Sequence, residues 1–256
     1  IEELYHSVLE AKRTHKLTNR LNIRELSFFG RKQELSQLEE YLSLVETGEA
    51  VGPFLVIGQS GTGKKRLLRQ LVLMSNRSFN FIKVEGKATS QRYEGSIWND
   101  LKQALEKLGD EMGIPFLEGE DDLISVWNQL QGLSKEKPLL ILLENAQWID
   151  AVSLEKVKQL EERRNQEKWQ LIFTAEEPLP DFFVNFLGGL KVEKRLSQLE
   201  LTNFEPSESR ALLKGELGAI EPAVMEQMVE WSEGSPFFLS SYIEEWKENE
   251  NLEPLP

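Results

Sequence analysis

Residues 54–73, FLVIGQSGTGKKRLLRQLVL, give the strongest indication of the fold in this sequence. Its first four residues are apolar and predict a short buried strand, and residues 58–63 predict a glycine-rich turn. Lys64 then opens a helix whose buried side carries Leu67, Leu68 and Leu71. A strand, a glycine-rich loop and a helix in this order are typical of a loop that binds phosphate, because the backbone N–H groups and the helix N-terminus both point at the anion.

The candidate phosphate-binding residues are those of the loop and the first two of the helix: Gly58, Ser60, Gly61, Thr62, Gly63, Lys64 and Lys65. In the pattern GxxxxGK[ST] the lysine reaches the β- and γ-phosphates, and the Ser or Thr that follows it binds magnesium. Lys65 stands at that last position, and an ammonium group repels the ion and offers it no lone pair. An ordinary glycine-rich turn between a strand and a helix is the alternative interpretation of the pattern.

Further strands are predicted by four segments that are apolar or alternate in polarity, at residues 79–84, 139–145, 169–174 and 195–201. Apolar residues at helical spacing separate several of these segments, and the last quarter of the chain has helical patterns alone. This order predicts a doubly wound α/β core followed by a small helical lid. Glu144 ends a buried run, where a nucleotide-binding sheet places a carboxylate directed at magnesium. Asp150 is predicted to cap the next helix.

The composition limits the class of protein. With 256 residues and 40% hydrophobic side chains, the chain can form one large α/β domain or a core with a small second domain. A net charge of −13 argues against binding to nucleic acid, because phosphate backbones would be repelled. The chain has no cysteine, which excludes disulfides, and no apolar run reaches the length of a membrane span. We therefore expect a cytoplasmic protein that binds neither nucleic acid nor membrane.

Residues 1–27 are predicted to form a helical connector. A short amphipathic pattern is followed there by a basic stretch: Lys12, Arg13, Lys16, Arg20 and Arg24. We interpret the stretch as a solvated link from an upstream domain, and the alternative is a docking surface for an acidic partner. Because the sequence starts at Ile1, we expect it to be a segment of a longer polypeptide.

Four separated motifs together resemble one protein family. They are FFGRKQEL at residues 28–35, GQSGTGKK at 58–65, LLILLENAQWID at 139–150 and SEGSPFFL at 232–239. Their order is similar to that of the STAND branch of the AAA+ ATPases, found in soluble adenylyl cyclases, LuxR-type regulators and kinase-linked sensors. The resemblance implies a five-stranded parallel sheet with helices on both faces, a helical lid and an ATP site. It divides the chain into a connector (1–27), a P-loop core (28–201) and a lid (202–256).

The chain departs from the family pattern at three places that carry the chemistry of hydrolysis. Lys65 replaces the Ser or Thr that binds magnesium. Glu144 and Asn145 replace a pair of acids, and an amide cannot accept the proton of the attacking water. The fourth strand ends in Thr174, Ala175 and Glu176, where the family often has Thr-x-Arg with the arginine facing the γ-phosphate. We therefore expect the module to hydrolyse ATP poorly or not at all, and Lys65 argues against bound Mg²⁺.

Other residues at matching positions receive structural or binding interpretations. The lid proline of the family contacts adenine, so the resemblance implies that role for Pro236. Trp148 is expected to pack in the core, and Thr174 to act either as a cap at a strand end or as a nucleotide sensor. Arg163 and Arg164 end a helix and are expected to interact with its dipole, with an arginine finger as the alternative.

The sequence thus favours a regulatory ATP- or ADP-binding module of a larger signalling or scaffold protein. Its expected partners are other domains of the same polypeptide and other proteins, and it is expected to be able to oligomerise. Two further hypotheses stay open. One is a nucleotide-free pseudo-ATPase that acts as a protein-interaction domain, and the other is a slow working ATPase of the STAND type.

Overall fold

The computed structural model describes residues 28–49, 51–164, 167–193 and 195–249. The predicted connector at residues 1–27, with its basic stretch, lies outside them. The strands are β1 (Phe54–Ile57), β2 (Asn80–Glu85), β3 (Leu139–Glu144), β4 (Trp169–Ala175) and β5 (Ser197–Glu200). The helices are α1 (Lys32–Glu46), α2 (Lys64–Ser75), α3 (Ser96–Met112), α4 (Asp122–Leu133), α5 (Ala151–Arg163), α6 (Asp181–Val192), α7 (Pro206–Leu217), α8 (Pro222–Ser232) and α9 (Pro236–Asn249).

The five strands form one sheet in the order β2-β3-β4-β1-β5, and every neighbouring pair is parallel. The predicted α/β fold with a five-stranded parallel sheet and a helical region after it is confirmed. The register brings the strand ends level, so that Glu85 lies opposite Glu144, and Ile57 opposite Ala175 and Glu200. We call this side of the sheet, where the strands end, the carboxyl edge and the opposite side the amino edge.

The central strands β3 and β4 are covered on both faces. All residues of β3 and β4 are buried, as expected for parallel strands that are covered on both faces. On one face, Ile141 and Phe173 join a large apolar core to which helices α3 to α6 contribute. On the other face, the ring of Phe54 lies 4.9 Å from the ring of Tyr41 in α1. The helices therefore pack on both faces of the sheet.

Helix α6, between β4 and β5, was not predicted from the sequence. Gly188 and Gly189 lie within it and lower its intrinsic helix propensity. Its apolar face nevertheless packs on the sheet, where the rings of Phe183 and Phe186 lie 5.7 Å and 6.0 Å from that of Phe173. Tertiary burial thus stabilises a helix that local propensity alone does not indicate.

The chain divides into two compact units. The sheet unit comprises Arg31–Gln59 and Lys64–Leu201 and contains the whole sheet with α1 to α6. Among the described residues, the helical unit comprises residues 28–30, Ser60–Gly63 and the chain from Thr202 onward. Helices α7 to α9 surround their own core, whose most buried members are Leu213, Met228, Leu239, Tyr242 and Ile243.

Each helix of the helical unit begins at a proline, which fits the first turn because its missing N–H has no partner there in any case. Pro206, for example, is the first residue of α7. Before α7, the backbone N–H of Glu205 donates to Glu208 Oε2 at 2.9 Å.

No helix in the described part of the chain is long and apolar enough to cross a membrane.

Candidate nucleotide-binding site

The glycine-rich loop joins β1 to α2, as the sequence predicts. Gly61 and Gly63 have φ angles of +86° and +95°, in the left-handed region that residues with a Cβ rarely adopt. Helix α2 begins immediately afterwards at Lys64 and buries the three predicted leucines, Leu67, Leu68 and Leu71. The backbone therefore makes the sharp turn into a helix N-terminus that phosphate binding requires.

Lys64 is held within the loop that precedes it. Its Nζ donates hydrogen bonds to the carbonyl oxygens of Gly58 at 2.7 Å and Gln59 at 2.8 Å. Glu176 Oε2 lies 3.7 Å from the same Nζ, which makes an ion pair but is too long for a hydrogen bond. Burial lowers the pKa of the Lys64 ammonium, and the nearby Glu176 carboxylate opposes that shift.

Lys65 contacts the acidic ends of two neighbouring strands. Its Nζ donates a hydrogen bond to Glu85 Oε1, at the end of β2, and lies 3.9 Å from Glu144 Oε2, at the end of β3. The hydrogen bond from Lys65 lowers the pKa of Glu85, and Lys83 and Lys87 add to the effect while partial burial opposes it. The lysine at the magnesium-ligand position therefore contacts the carboxylate that was expected to face the metal.

A second lysine reaches the same carboxylate from β2. Lys83 and Glu85 are two residues apart and so share one face of the strand. Lys83 Nζ lies 3.0 Å from Glu144 Oε2. Glu144 is only 4% exposed, and no donor among the described residues makes a hydrogen bond to its Oε2, so the contact is an ion pair alone. Lys83 and Glu85 were not predicted from the sequence, because only strand pairing places them beside Glu144.

Asn145 lies in the turn after β3 and bonds to the end of β2. It adopts φ 54°, a conformation that asparagine tolerates better than most residues. Its Nδ2 donates to Glu85 Oε1 at 3.2 Å and to the carbonyl of Gly86 at 3.4 Å. Its backbone N–H donates to Thr174 Oγ1 at 3.1 Å, so Thr174 accepts a hydrogen bond at the end of β4, as a cap would. Both side chains of the Asn145–Thr174 pair thus hold the carboxyl edge together.

A cavity of about 580 Å³ lies beyond the ends of β3 and β4. Glu176 lines this cavity. Its backbone N–H donates a hydrogen bond to Gln147 Oε1 at 3.2 Å, which fixes the backbone at this position. Trp148 is half-buried and lines the cavity with Ile149 and Phe182, so the expectation that it packs in the core is not met.

Asp150 is the N-cap of α5, which confirms the prediction. Its carboxylate accepts from the backbone N–H groups of Ser153 and Gly95, both at 2.8 Å, and from Ser153 Oγ at 2.6 Å. Burial raises the pKa of Asp150, but these hydrogen bonds, with one from the N–H of Ile97, outweigh it and leave the pKa below its usual value. The residue joins three segments of the carboxyl edge.

Arg164 has no part in the candidate site. Its side chain is 5% exposed and is bonded to Glu161 near the amino edge, where Nη2 also donates to the carbonyl of Val51. These contacts favour a structural role for Arg164 over the alternative of an arginine finger.

The predicted site residues divide between the two units. Gly58, Lys64, Lys65, Glu144, Asn145, Thr174 and Glu176 belong to the sheet unit; Ser60, Gly61, Thr62, Gly63 and Pro236 belong to the helical unit. Within the helical unit, the N–H of Phe237 donates to the carbonyl of Gly61 at 3.2 Å. A Cβ on Gly61 would lie 3.1 Å from Ser235 Oγ, so a larger residue would press on this segment.

The residues present fit a phosphate better than a metal ion. The positive φ angles of the loop, the N-terminus of α2 and the Lys64 ammonium all suit an anion. Magnesium requires oxygen ligands, whereas Lys65 and Lys83 place two cations beside Glu144. Within the described ranges, no group of three or more His, Cys, Asp or Glu side chains is arranged to hold a metal ion.

Fold and loop define a P-loop nucleotide-binding domain of the α/β class. A model of the family described as the AAA ATPase domain matches residues 27–173, more than half of the chain. The chain therefore belongs to the AAA ATPase domain family. A comparison with curated proteins found no match.

Several solved structures share the fold. The ORC2 protein of Aeropyrum pernix, in its ADPNP-ADP complexes, is 18% identical with a TM-score of 0.57, and the alignment covers 91% of this chain and 65% of that one. The Aeropyrum pernix ORC1 protein in complex with DNA is 17% identical, with a TM-score of 0.57 and coverage of 90% and 63%. The Thermotoga maritima RuvB Holliday junction branch migration motor is 14% identical, with a TM-score of 0.55 and coverage of 88% and 64%. This chain thus spans slightly less than two thirds of each of these proteins.

Proposed function

We propose that this AAA ATPase domain is a regulatory nucleotide-binding module of the STAND type, with little or no ATP hydrolysis. It acts within a larger signalling or scaffold protein in the cytoplasm, on other domains of the same polypeptide and on protein partners, with oligomerisation as one mode of control. Family membership and the loop geometry support nucleotide binding. The net charge of −13 argues against nucleic acid as a partner.

The observation that carries the proposal is that the three altered positions are engaged with other residues of the protein. Lys65 pairs with Glu85 and Glu144, the Asn145 amide donates to Glu85 and Gly86, and Glu176 pairs with Lys64. Neither the Lys65 ammonium nor the Asn145 amide can act as a base, and the carboxylate of Glu176 is paired with Lys64. Loss of a positioned general base lowers a rate by about 10²- to 10⁴-fold.

ATP or ADP is the proposed ligand. The similar ORC2 protein of Aeropyrum pernix was solved in ADPNP-ADP complexes, and the positive φ angles of Gly61 and Gly63 suit a loop that binds an anion. We assign contact with the adenine to Pro236, the first residue of α9. Pro236→Ala is then expected to weaken nucleotide binding while leaving the unfolding temperature of the protein close to that of the wild type.

Phosphate release over several hours tests the absence of hydrolysis. The wild type should match the Lys64→Ala variant, because neither can activate water. The triple variant Lys65→Thr, Asn145→Asp, Glu176→Arg should gain magnesium-dependent turnover, and each single change should do little because such groups act as a unit. Wild-type turnover that Lys64→Ala abolishes would refute the proposal and favour a slow working ATPase.

One observation favours a second candidate, a nucleotide-free interaction domain. Lys64 donates to two carbonyl groups of the loop and pairs with Glu176, so its ammonium group has partners within the protein without a nucleotide. Denaturing the purified protein and analysing the supernatant for adenine nucleotide, followed by titration with ADP and ATP, separates the two candidates. Neither retained nor titratable nucleotide would support the interaction domain.

A further inference from the structure

We propose that the loop binds a nucleoside diphosphate without a divalent metal ion, and that the ammonium of Lys65 takes the place of the metal. This inference rests on the proposed nucleotide binding and deepens it. It assigns phosphate binding to Lys65, where the sequence alone indicated only the loss of a magnesium ligand. It also specifies a diphosphate as the ligand. The observations that carry it are the contacts of Lys65, Lys83 and Glu176.

The first argument is the balance of charge at the carboxyl edge. Two lysines, Lys65 and Lys83, face two carboxylates, Glu85 and Glu144, and each lysine is within 4 Å of Glu144. The four charges cancel without an added ion. A Mg²⁺ ion near Glu144 would instead meet two ammonium groups at close range, where like charges repel strongly in a partly buried site.

Lys65 can hold the carboxylates and still bind a ligand. An ammonium group has three N–H donors, and Glu85 accepts a hydrogen bond from one of them. The Lys65 side chain is 51% exposed, so a ligand can approach it from the solvent. Because Lys65 is the second residue of α2, its backbone lies in the helix turn that faces a bound phosphate. It is therefore placed to bridge phosphate and carboxylate, as a metal ion does.

The preference for a diphosphate follows from Glu176. The loop lysine reaches the β- and γ-phosphates, and here a carboxylate lies 3.7 Å from its Nζ. The third phosphate would approach this carboxylate with no metal to neutralise either charge. A diphosphate can use Lys64 and Lys65 without that repulsion. ADP should therefore bind more tightly than ATP.

Calorimetric titration of the whole chain with ADP and with ATP, each in excess magnesium and in excess EDTA, tests the inference. The affinity of the wild type for ADP should change by less than about twofold on chelation, and ATP should bind about tenfold more weakly than ADP. Glu176→Gln should narrow the gap between ADP and ATP, because it removes the repelling charge and keeps the shape.

Two variants of Lys65 separate its charge from its position. Lys65→Met should weaken ADP binding about tenfold in both buffers, since a charge-assisted hydrogen bond to phosphate is lost. Lys65→Thr should lose as much ADP affinity as Lys65→Met in EDTA. In magnesium its ADP affinity should recover, because the threonine hydroxyl can bind the ion. Lys107→Met, at an exposed lysine of α3, is the matched control and should bind as the wild type does. Thermal unfolding of each variant verifies the fold.

The possible failures are distinguishable. Absence of ADP and ATP binding in both buffers would overturn nucleotide binding, and the inference with it. ADP binding that weakens more than about tenfold on chelation would overturn the metal-free site and leave nucleotide binding intact. Equal affinity for ADP and ATP in EDTA would overturn the role of Glu176. A Lys65→Met variant that binds ADP as the wild type does would overturn the role of Lys65.

Discussion

Two buried glutamates of the sheet unit, Glu161 and Glu144, are each contacted by two cations, yet the two clusters are built differently. Glu161 lies near the amino edge and is 1% exposed, and Glu144 lies at the carboxyl edge and is 4% exposed. Burial alone does not distinguish them. The type of cation and the geometry of its contacts do, and this difference separates a structural cluster from a candidate site.

The Glu161 cluster uses arginines in aligned geometry. Arg164 donates from Nε to both carboxylate oxygens at 3.0 Å and 3.1 Å, and its Nη2 donates to Oε1 at 2.7 Å. Arg195 Nη2 donates to the same oxygen, also at 2.7 Å. The planar guanidinium matches a carboxylate and fixes its orientation, so the carboxylate is fully satisfied by the protein itself.

The Glu144 cluster uses lysines, whose ammonium groups act as point charges. Lys65 and Lys83 are 51% and 54% exposed, and neither makes a hydrogen bond to Glu144 Oε2. Flexible, hydrated cations can move to a ligand at little cost. In open α/β sheets ligands bind at the carboxyl ends of the strands, which is where this looser cluster lies. The comparison therefore predicts different responses to removal of each glutamate.

The largest effect is expected from Glu161→Ala. It leaves Arg164 and Arg195 without their shared partner, and a buried charge that loses its partner destabilises a protein by about 3–5 kcal/mol. Urea denaturation should show this loss in the free energy of unfolding. Glu162→Ala, at the exposed neighbouring position, is the matched control and should change the free energy by less than about 0.5 kcal/mol.

A loss below about 1 kcal/mol for Glu161→Ala would break the comparison. It would mean that the two arginines find water or other acceptors, as exposed lysines can. The Glu161 cluster would then be no more structural than the Glu144 cluster.

An intermediate effect is expected at Asp150, a carboxylate that is also at the carboxyl edge but is fully bonded. Its folded pKa is lowered, so its contribution to stability is present above the unfolded value, about 3.9, and is lost as the pH falls through the lower folded value. Asp150→Asn should cost about 1–2 kcal/mol at neutral pH. The variant should also lose less stability than the wild type below about pH 4, because the titrating group is gone.

Acid titration of unfolding in parallel for the wild type and Asp150→Asn measures both effects. Asp181→Asn is the control, because Asp181 is an exposed acid in the first turn of α6. If Asp150→Asn has the acid dependence of the wild type, the hydrogen bonds from Ser153 and Gly95 do not favour the ionised carboxylate. The acid dependence of stability would then follow from the position of a carboxylate at the carboxyl edge and not from the number of hydrogen bonds that it accepts.

The sequence predicts the fold better than the site because fold signals are local. The apolar runs of β1 and β3 and the glycine loop stand within single short segments, and the structure confirms them. Helix α6 was missed, since Gly188 and Gly189 hide a helix that forms by packing on Phe173. Which strands are neighbours is a property of the whole sheet and is not written in any one segment.

The partners of the altered residues show the same limit. The substitution at Lys65 was visible in the sequence, but its contact with Glu85, twenty positions away, depends on the parallel pairing of β2 with β3. Glu176 was expected only to repel phosphate, and the structure adds its ion pair with Lys64. The residue types at these positions indicated that metal ligands are lost. The partners of Lys65 and Glu176 could be identified only from the folded structure.

The smallest effect is expected from Glu144→Gln. The change removes the buried charge and keeps the shape, and the half-exposed ammonium groups of Lys65 and Lys83 can return to water. The free energy of unfolding should therefore fall by less than about 1 kcal/mol, the range of exposed ion pairs. Glu200→Gln, at the exposed end of β5, controls for a glutamate at the same edge without these cations. Urea denaturation that shows a loss as large as that of Glu161→Ala would make Glu144 a structural ion pair. The lysines would then be committed to the fold, and Lys65 would not be available to a phosphate.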